Sequence, residues 1–303
     1  MTAHQKKWDD KELKDLFTAI GLADPNGNNY RERAGKHKQI FDFIVHLNKA
    51  VEKLSTKRQL IFVDCACGKS YLSFVANYYF THVKKRKIKI VGIDINPEVI
   101  ASSKKAAEEL GFTNMDFICD DIFAVDFPVK PDIVYSLHAC DTATDMTLAK
   151  GILEEAKYIM TVSCCQHTMR RTMKKHLLGA VTKHGVYRER LSDMVADSMR
   201  TLLLESRGYK VGLFEYVAAS ETPKNFMIRA SRIGTLSPKK YAVAMSAYNK
   251  LEDLFHTGPH LNHLLHEKSG VVPFYPGNMP AVNQAAKNAS VVEESKKIMV
   301  NQV

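Results

Sequence analysis

From residue 59 onward the sequence switches repeatedly between two periodicities, and that alternation constrains the fold more than any other feature. Short apolar runs at 60–64, 88–93, 115–119, 132–137 and 158–164 have the length of strands. Stretches at 70–83, 97–110 and 143–156 lie between them and read as helices. Strands joined through helices must run parallel, so the pattern predicts an α/β fold, a parallel sheet covered by helices on both faces. A longer helix over 188–207 follows, then two strands at 209–217 and 225–233 joined by a short link. The sheet thus has seven strands and closes on a strand pair.

The flanks differ. Residues 9–20 and 36–54 carry apolar positions at helical spacing, among them Ile40, Phe43, Ile44, Leu47, Val51 and Leu54. They predict two leading helices joined by a Gly/Asn-rich turn over 24–29. The organisation read from the chain is a helical N-terminal extension (1–57), the sheet domain (58–233) and a helical C-terminal extension (234–268) broken near Gly258 and Pro259. A Pro/Gly-rich and then polar tail (269–303) completes it, expected to be flexible and assigned no chemistry.

A hydrophobic fraction of 45% supplies a sizeable core and argues against global disorder. No apolar run approaches the roughly 18 residues that span a bilayer, and the polar start MTAHQKKWDDKELKD has no signal core behind it. The six cysteines include the adjacent pair Cys164 and Cys165, and no spacing resembles a secreted disulfide framework. Reduced thiols and a cytoplasmic location are the simpler expectation, with neither a membrane nor an obligate protein partner indicated. The formal charge of +10 favours polyanionic partners without requiring them.

Open parallel sheets bind ligands beyond the carboxyl ends of their strands, where the strand order reverses. The first strand ends in Asp64-Cys65-Ala66-Cys67-Gly68-Lys69-Ser70, and a helix begins at once. A tight turn around Gly68 lets backbone N–H groups approach a nucleoside-like ligand, with Asp64, Cys65 and Ala66 beside it. The second strand ends at Asp94, next to Ile95, where a carboxylate is placed to accept both ribose hydroxyls. The third ends at Cys119, and Asp120 or Asp121 just beyond it can take an adenine amino group. Gly68-Lys69-Ser70 also resembles the end of a phosphate-binding P-loop, but that loop needs a glycine where Val63 stands, inside the strand.

These residues resemble the class I S-adenosylmethionine (SAM)-dependent methyltransferases. The family's first motif, Asp/Glu-x-Gly-x-Gly-x-Gly, is matched by Asp64 and Gly68, with Ala66 and Ser70 at the other two glycine positions. The chain resembles a poorly characterised branch with Cys-Gly-Lys-Ser-Tyr-Leu, His-Ala-Cys-Asp-Thr-Ala-Thr-Asp, Cys-Cys-Gln-His and Thr-Pro-Lys-Asn segments, here at 67–72, 138–145, 164–167 and 222–225. Its relatives include the ribosomal RNA adenine dimethylase domain-containing proteins. The resemblance runs from about residue 36 to 233. It implies a Rossmann-like seven-stranded sheet and SAM as methyl donor, and says little about the acceptor.

All six cysteines fall at or just beyond predicted strand ends, joined by His138, Asp141 and His167. Three explanations stand side by side. Cysteines and hydrogen-bonded histidines can simply fill tight space near the cofactor. His138 and Asp141 after strand four, or His167 after strand five, can serve acid–base chemistry, His138 also lining the cofactor site. Cys140, Cys164, Cys165, His138 and His167 can hold a metal, although no Cys-x-x-Cys spacing supports it, and no metal is assigned. A cysteine nucleophile at Cys140 or Cys164 is a minor variant of the second explanation. Thr142 with Asp145 three residues on reads as a capping box at the start of the next helix.

The segment 170–190 follows strand five and holds Arg170, Arg171, Lys174, Lys175, Lys183, Arg188 and Arg190 against Glu189 alone. A basic lip beside a methyl donor suits a phosphate backbone, so RNA is the expected acceptor, ribosomal or transfer RNA first. Such a run is also the usual exposed face of a helix, and Tyr187 is its single aromatic residue. A protein or small-molecule acceptor is the alternative. So is a silent SAM-binding protein, because Leu137-His138-Ala139-Cys140 stands where an Asn/Asp-Pro-Pro-Tyr adenine motif would. The basic residues among 30–39 fit a lid or acceptor surface over the cleft.

Overall fold

The computed structural model describes residues 10–24, 34–173, 176–234 and 236–269. Two helices, α1 (Asp10–Ala19) and α2 (Ala34–Val51), precede the sheet. The strands are β1 (Leu60–Cys65), β2 (Ile88–Asp94), β3 (Met115–Cys119), β4 (Ile133–Ala139), β5 (Tyr158–Ser163), β6 (Tyr209–Glu215) and β7 (Phe226–Arg232). They form one sheet in the order β3-β2-β1-β4-β5-β7-β6. The first five are parallel, and β7 inserts antiparallel between β5 and β6. The alternation predicted this α/β sheet with its closing strand pair, and the resemblance implied its Rossmann-like, seven-stranded form. The strand order reverses between β1 and β4, so a ligand crevice belongs at their carboxyl ends.

Helices α3 (Tyr71–Tyr78), α4 (Pro97–Glu109), α5 (Thr142–Leu153) and α8 (Gly185–Ser206) lie close to the predicted spans. The expected helix over 70–83 ends differently: Tyr79–Val83 is a π-helical turn. Two short helices, α6 (His167–Thr172) and α7 (Gly179–Thr182), follow β5 where none was predicted. The C-terminal extension is α9 (Pro238–Phe255) and α10 (Leu261–Ser269), broken where Gly258 and Pro259 stand. The Gly/Asn-rich residues 25–29 and the tail from 270 lie outside the described residues. Among the described residues, no helix is long and apolar enough to cross a membrane.

Successive strand residues point to opposite faces, and both faces are buried. Phe62, Ile90, Tyr135 and Met160 face a core completed by Leu16 and Phe17 of α1, Phe43 and Leu47 of α2, and Phe74 of α3. Val63, Cys65, Val91, Val134 and Ile159 face the other core, with Leu148 of α5, Met199 and Leu203 of α8, Tyr248 of α9 and Leu264 of α10. The C-terminal extension is therefore part of the second core.

Helix α5 does not begin with the capping box expected of Thr142 and Asp145. The N-cap position is Asp141, at φ 49°, with no side-chain cap bond. Asp145 is instead drawn inward: Arg200 Nε donates to its Oδ1 at 2.7 Å, and the His260 backbone N–H donates to its Oδ2 at 2.9 Å. Arg200 is buried and also reaches Asp197 at 3.1 Å and the Asp141 carbonyl at 3.2 Å. A buried guanidinium needs such complete pairing, and its demand for Asp145 overrides the local capping signal.

Candidate functional site

The turn after β1 adopts left-handed backbone at Ala66 (φ 55°), Gly68 (φ 51°) and Ser70 (φ 55°). These are the three glycine positions of the motif it resembles, and all three adopt the left-handed backbone that glycine favours. Ala66 and Ser70 bear a cost of about 1–2 kcal/mol each that glycine would avoid. A side chain at Gly68 would meet nothing within 4 Å, which leaves one side of the turn open. The Gly68 N–H donates to Asp94 Oδ2 at 2.7 Å, and the Asn96 N–H donates to Asp94 Oδ1 at 3.0 Å. One carboxylate thus ties the β1 turn to the tip of β2 and retains lone pairs for further donors.

At the end of β3, Asp121 Oδ1 accepts from the N–H groups of Phe123 and Ala124 and organises the following turn. Asp120 is exposed, and its carboxylate accepts from the Asp121 N–H at 2.8 Å. Ile95 is 65% exposed beside Asp94, an apolar face at the strand tips. Cys65 does not join this group. Its side chain is fully buried on the opposite face of the sheet among Val63, Val91 and Leu148, because adjacent strand residues point to opposite sides.

Between β1 and β4 a cleft of about 640 Å³ opens, lined by Asp64, Ala66, Leu72 and His138 together with Lys36, Gln39 and Ile40 of α2. Of the segment 30–39 expected to form a lid or acceptor surface, residues 36 and 39 at the start of α2 line this cleft and share one helix face with residue 40; residues 30–33 lie outside the described residues. Asp64 is buried and accepts from Ser73 Oγ at 2.6 Å, and Ser73 Oγ in turn meets Tyr135 Oη at 2.7 Å. Burial pushes the Asp64 carboxyl up to about 7 against the lowering effect of Ser73.

His138 sits where the β4–β5 register slips: Leu137 pairs with Val162 and Ala139 with Ser163, leaving His138 as the extra residue at φ 63°. Such a bulge re-aims one side chain, here into the cleft. His138 Nε2 lies 2.5 Å from Gln39 Oε1, an acceptor, so Nε2 carries the proton and Nδ1 keeps its lone pair. That Nδ1 is buried without a partner among the described residues. Burial first, and Lys36 second, hold the imidazole below its ordinary pKa and therefore neutral. Gln39 was missed from the sequence because nothing local links α2 to the end of β4.

The other two candidates differ. The Asp141 carboxylate accepts from both the N–H (2.9 Å) and the Oγ1 (2.7 Å) of Thr168, which fastens the β4 loop to α6. His167 is exposed at the start of α6, near Cys165 and Arg170. Of the six cysteines expected to converge, three do: the Sγ atoms of Cys140, Cys164 and Cys165 lie within 4.8 Å of one another. Cys67 packs against the backbone of Gly92, and Cys119 is exposed at β3, donating to the Ile95 carbonyl at 3.6 Å. Donation from Cys164 and Cys165 draws the Cys140 thiol well below the usual range, and the same contact pushes Cys164 up.

Residues 35–172, from α2 to α6, match the model of a family described as a methyltransferase domain. No curated protein matches the chain. Similar solved structures include the magnesium protoporphyrin IX methyltransferase of Synechocystis PCC 6803 with bound SAH, at 18% identity over 74% of this chain and 100% of that one, TM-score 0.43. A SAM-dependent methyltransferase of Aquifex aeolicus is 16% identical over 74% of this chain and 97% of its own, TM-score 0.37. An rRNA methylase of Streptococcus thermophilus is 13% identical over 62% and 94%, TM-score 0.39.

Proposed function

We propose that this protein, a SAM-dependent methyltransferase, transfers its methyl group to RNA, with ribosomal or transfer RNA the favoured class. The residues at the strand tips fit the donor. Gly68 offers an open turn, Asp94 can accept from the ribose hydroxyls, and Asp120 can accept from the adenine amino group. SAM, when bound, supplies an electrophilic methyl carbon on a sulfonium. His138 lines the cleft, and its Nδ1, without a partner among the described residues, can take the proton that an acceptor nitrogen or oxygen loses. Gln39 holds the ring in the tautomer that keeps this lone pair free.

The observation that carries the RNA reading is the exposed basic surface directly after β5. Arg170, Arg171, Lys183, Arg188 and Arg190 are all exposed, with Tyr187 exposed among them as a stacking face. Glu189 answers Arg170 at 3.8 Å but lies nearer to Lys224, at 3.0 Å, so it neutralises little of the surface. Lys174 and Lys175 lie outside the described residues. The test is methyl transfer from labelled SAM into the RNA, protein and small-molecule fractions of cells lacking the protein. Label is expected in RNA. Label confined to another fraction would replace the acceptor, and no transfer despite SAM binding would favour a silent binding protein.

A further inference from the structure

Cys140 leaves the end of β4, and Cys164 and Cys165 leave the end of β5. Sequence spacing cannot join them, but the sheet does, because β4 and β5 are hydrogen-bonded neighbours as far as Ala139 and Ser163. The next residues on each strand must therefore emerge side by side. Cys164 Sγ lies 3.9 Å from Cys165 Sγ and 2.7 Å from Cys140 Sγ, and all three sulfurs fall within 4.8 Å. We infer that Cys140, Cys164 and Cys165 form a three-thiolate binding site for a soft divalent cation, with zinc as the expected ion.

The geometry supports this at three points. A tetrahedral zinc ion with Zn–S bonds near 2.3 Å holds its sulfurs roughly 3.8 Å apart, and the Cys164–Cys165 pair already has that spacing. Cys140 must withdraw by about 1 Å to match it, and it is the exposed member of the three, free to turn. The backbone that carries the thiols is pinned from several directions. The Asp141 N–H donates to the Cys165 carbonyl at 3.3 Å, the Asp141 carboxylate holds Thr168, and buried Arg200 holds the Asp141 carbonyl. Ligand loops fixed by such surrounding bonds are the usual support of a metal centre.

The chemistry selects the ion. Three thiolates are a soft donor set, which favours zinc or another thiophilic cation over magnesium or calcium. A zinc ion on three protein ligands keeps its fourth position for water or a substrate atom. A thiol is otherwise a weak hydrogen-bond donor, so three sulfurs gain little from gathering at a solvent-facing loop without an ion to share. A Cys140–Cys164 disulfide would account for two of them and leave Cys165 unexplained. The cluster also touches the site already described: the Sγ atoms of Cys140 and Cys164 lie 3.8 and 3.4 Å from the carbonyl oxygen of His138. An ion here would brace the bulge that aims the imidazole. The inference does not depend on which acceptor the enzyme methylates.

The test uses the full chain, reduced and stripped of metal with a chelator, then titrated with Co²⁺ as a spectroscopic stand-in for zinc. Thiolate-to-cobalt charge-transfer bands and tetrahedral ligand-field bands are expected, saturating at about one ion per chain and displaced by Zn²⁺. Cys140→Ser, Cys164→Ser and Cys165→Ser should each weaken binding by at least about tenfold, and Cys119→Ser, whose thiol lies at β3, should match the wild type. Absence of the charge-transfer bands in the reduced wild-type protein would overturn the site whatever the variants do. So would bands that survive all three serine variants, or mass spectrometry showing that the protein as isolated holds a Cys140–Cys164 disulfide.

Discussion

Replacing Asp94 by alanine separates ligand binding from folding at one side chain. The carboxylate accepts from the N–H groups of Gly68 and Asn96, and in the proposed complex it also accepts from two ribose hydroxyls. Each hydrogen bond to a charged group is worth about 1.5–3 kcal/mol, so the ribose hydroxyls together contribute about 3–6 kcal/mol. At roughly 1.4 kcal/mol per decade, Asp94→Ala should raise the Kd for SAH by about 10²–10⁴-fold. The two backbone N–H groups lie at the strand tips, where water can replace the missing acceptor, so the folding penalty should be only about 1–3 kcal/mol. Titration calorimetry with SAH gives the Kd, and thermal melts confirm that the variant is folded. Asp94→Asn keeps the shape and loses the charge, and should fall between the two. A folded Asp94→Ala protein that binds SAH within about threefold of wild type (less than 1 kcal/mol) would refute the ribose assignment.

Three other outcomes are expected. His138→Ala should lower turnover by about 10²–10⁴-fold with SAH affinity little changed; steady-state kinetics showing full activity would pass the proton-taking role to His167 or to positioning alone. Arg170→Glu combined with Arg171→Glu should weaken RNA binding and flatten its dependence on log salt by about 0.7 for each single-strand phosphate that the surface no longer neutralises. Unchanged binding curves across a salt series would move the acceptor surface elsewhere. Burial raises Asp64 to about 7, so the folded protein keeps a proton that the unfolded chain releases above its ordinary carboxylate range. Its contribution is therefore present at low pH and lost as pH rises from about 4 to about 7. Urea melts of the ligand-free protein should show that decline, and Asp64→Asn should flatten it; parallel curves would mean that Asp64 stays ionised.

Much of the architecture was legible because burying a parallel sheet on both faces leaves a simple trace in the sequence. The runs around Phe62, Ile90 and Val134 have that trace, and their ends locate the Gly68 turn, Asp94 and Asp120 without any tertiary information. Features set by tertiary partners were hidden. Thr142 and Asp145 carry a sound local capping signal, which a buried Arg200 from α8 overrides. Gln39 lies ninety-nine positions from His138, and the bulge that brings them together depends on the register of β4 against β5. Cys65 followed the motif but points away from the cleft, since a strand can present only every second side chain to one face. The short helices α6 and α7 carry too few residues for a period to be counted.

The pairing of Arg200 also decides how far this chain can be dissected. Asp145 satisfies one oxygen with α8 and the other with the His260 backbone at the entry to α10. A chain cut at residue 233, where the sheet is complete, would strip that second partner from a buried carboxylate. It would also uncover the apolar faces against which Tyr248, Phe255, Leu261, Leu264 and Leu265 pack. At about 1.5–3 kcal/mol for each buried side chain, those five residues represent roughly 10 kcal/mol, as much as the whole net stability of an ordinary domain. The smallest autonomous folding unit therefore extends through α10, and limited proteolysis should find no cleavable seam between the last strand and the two helices that follow it.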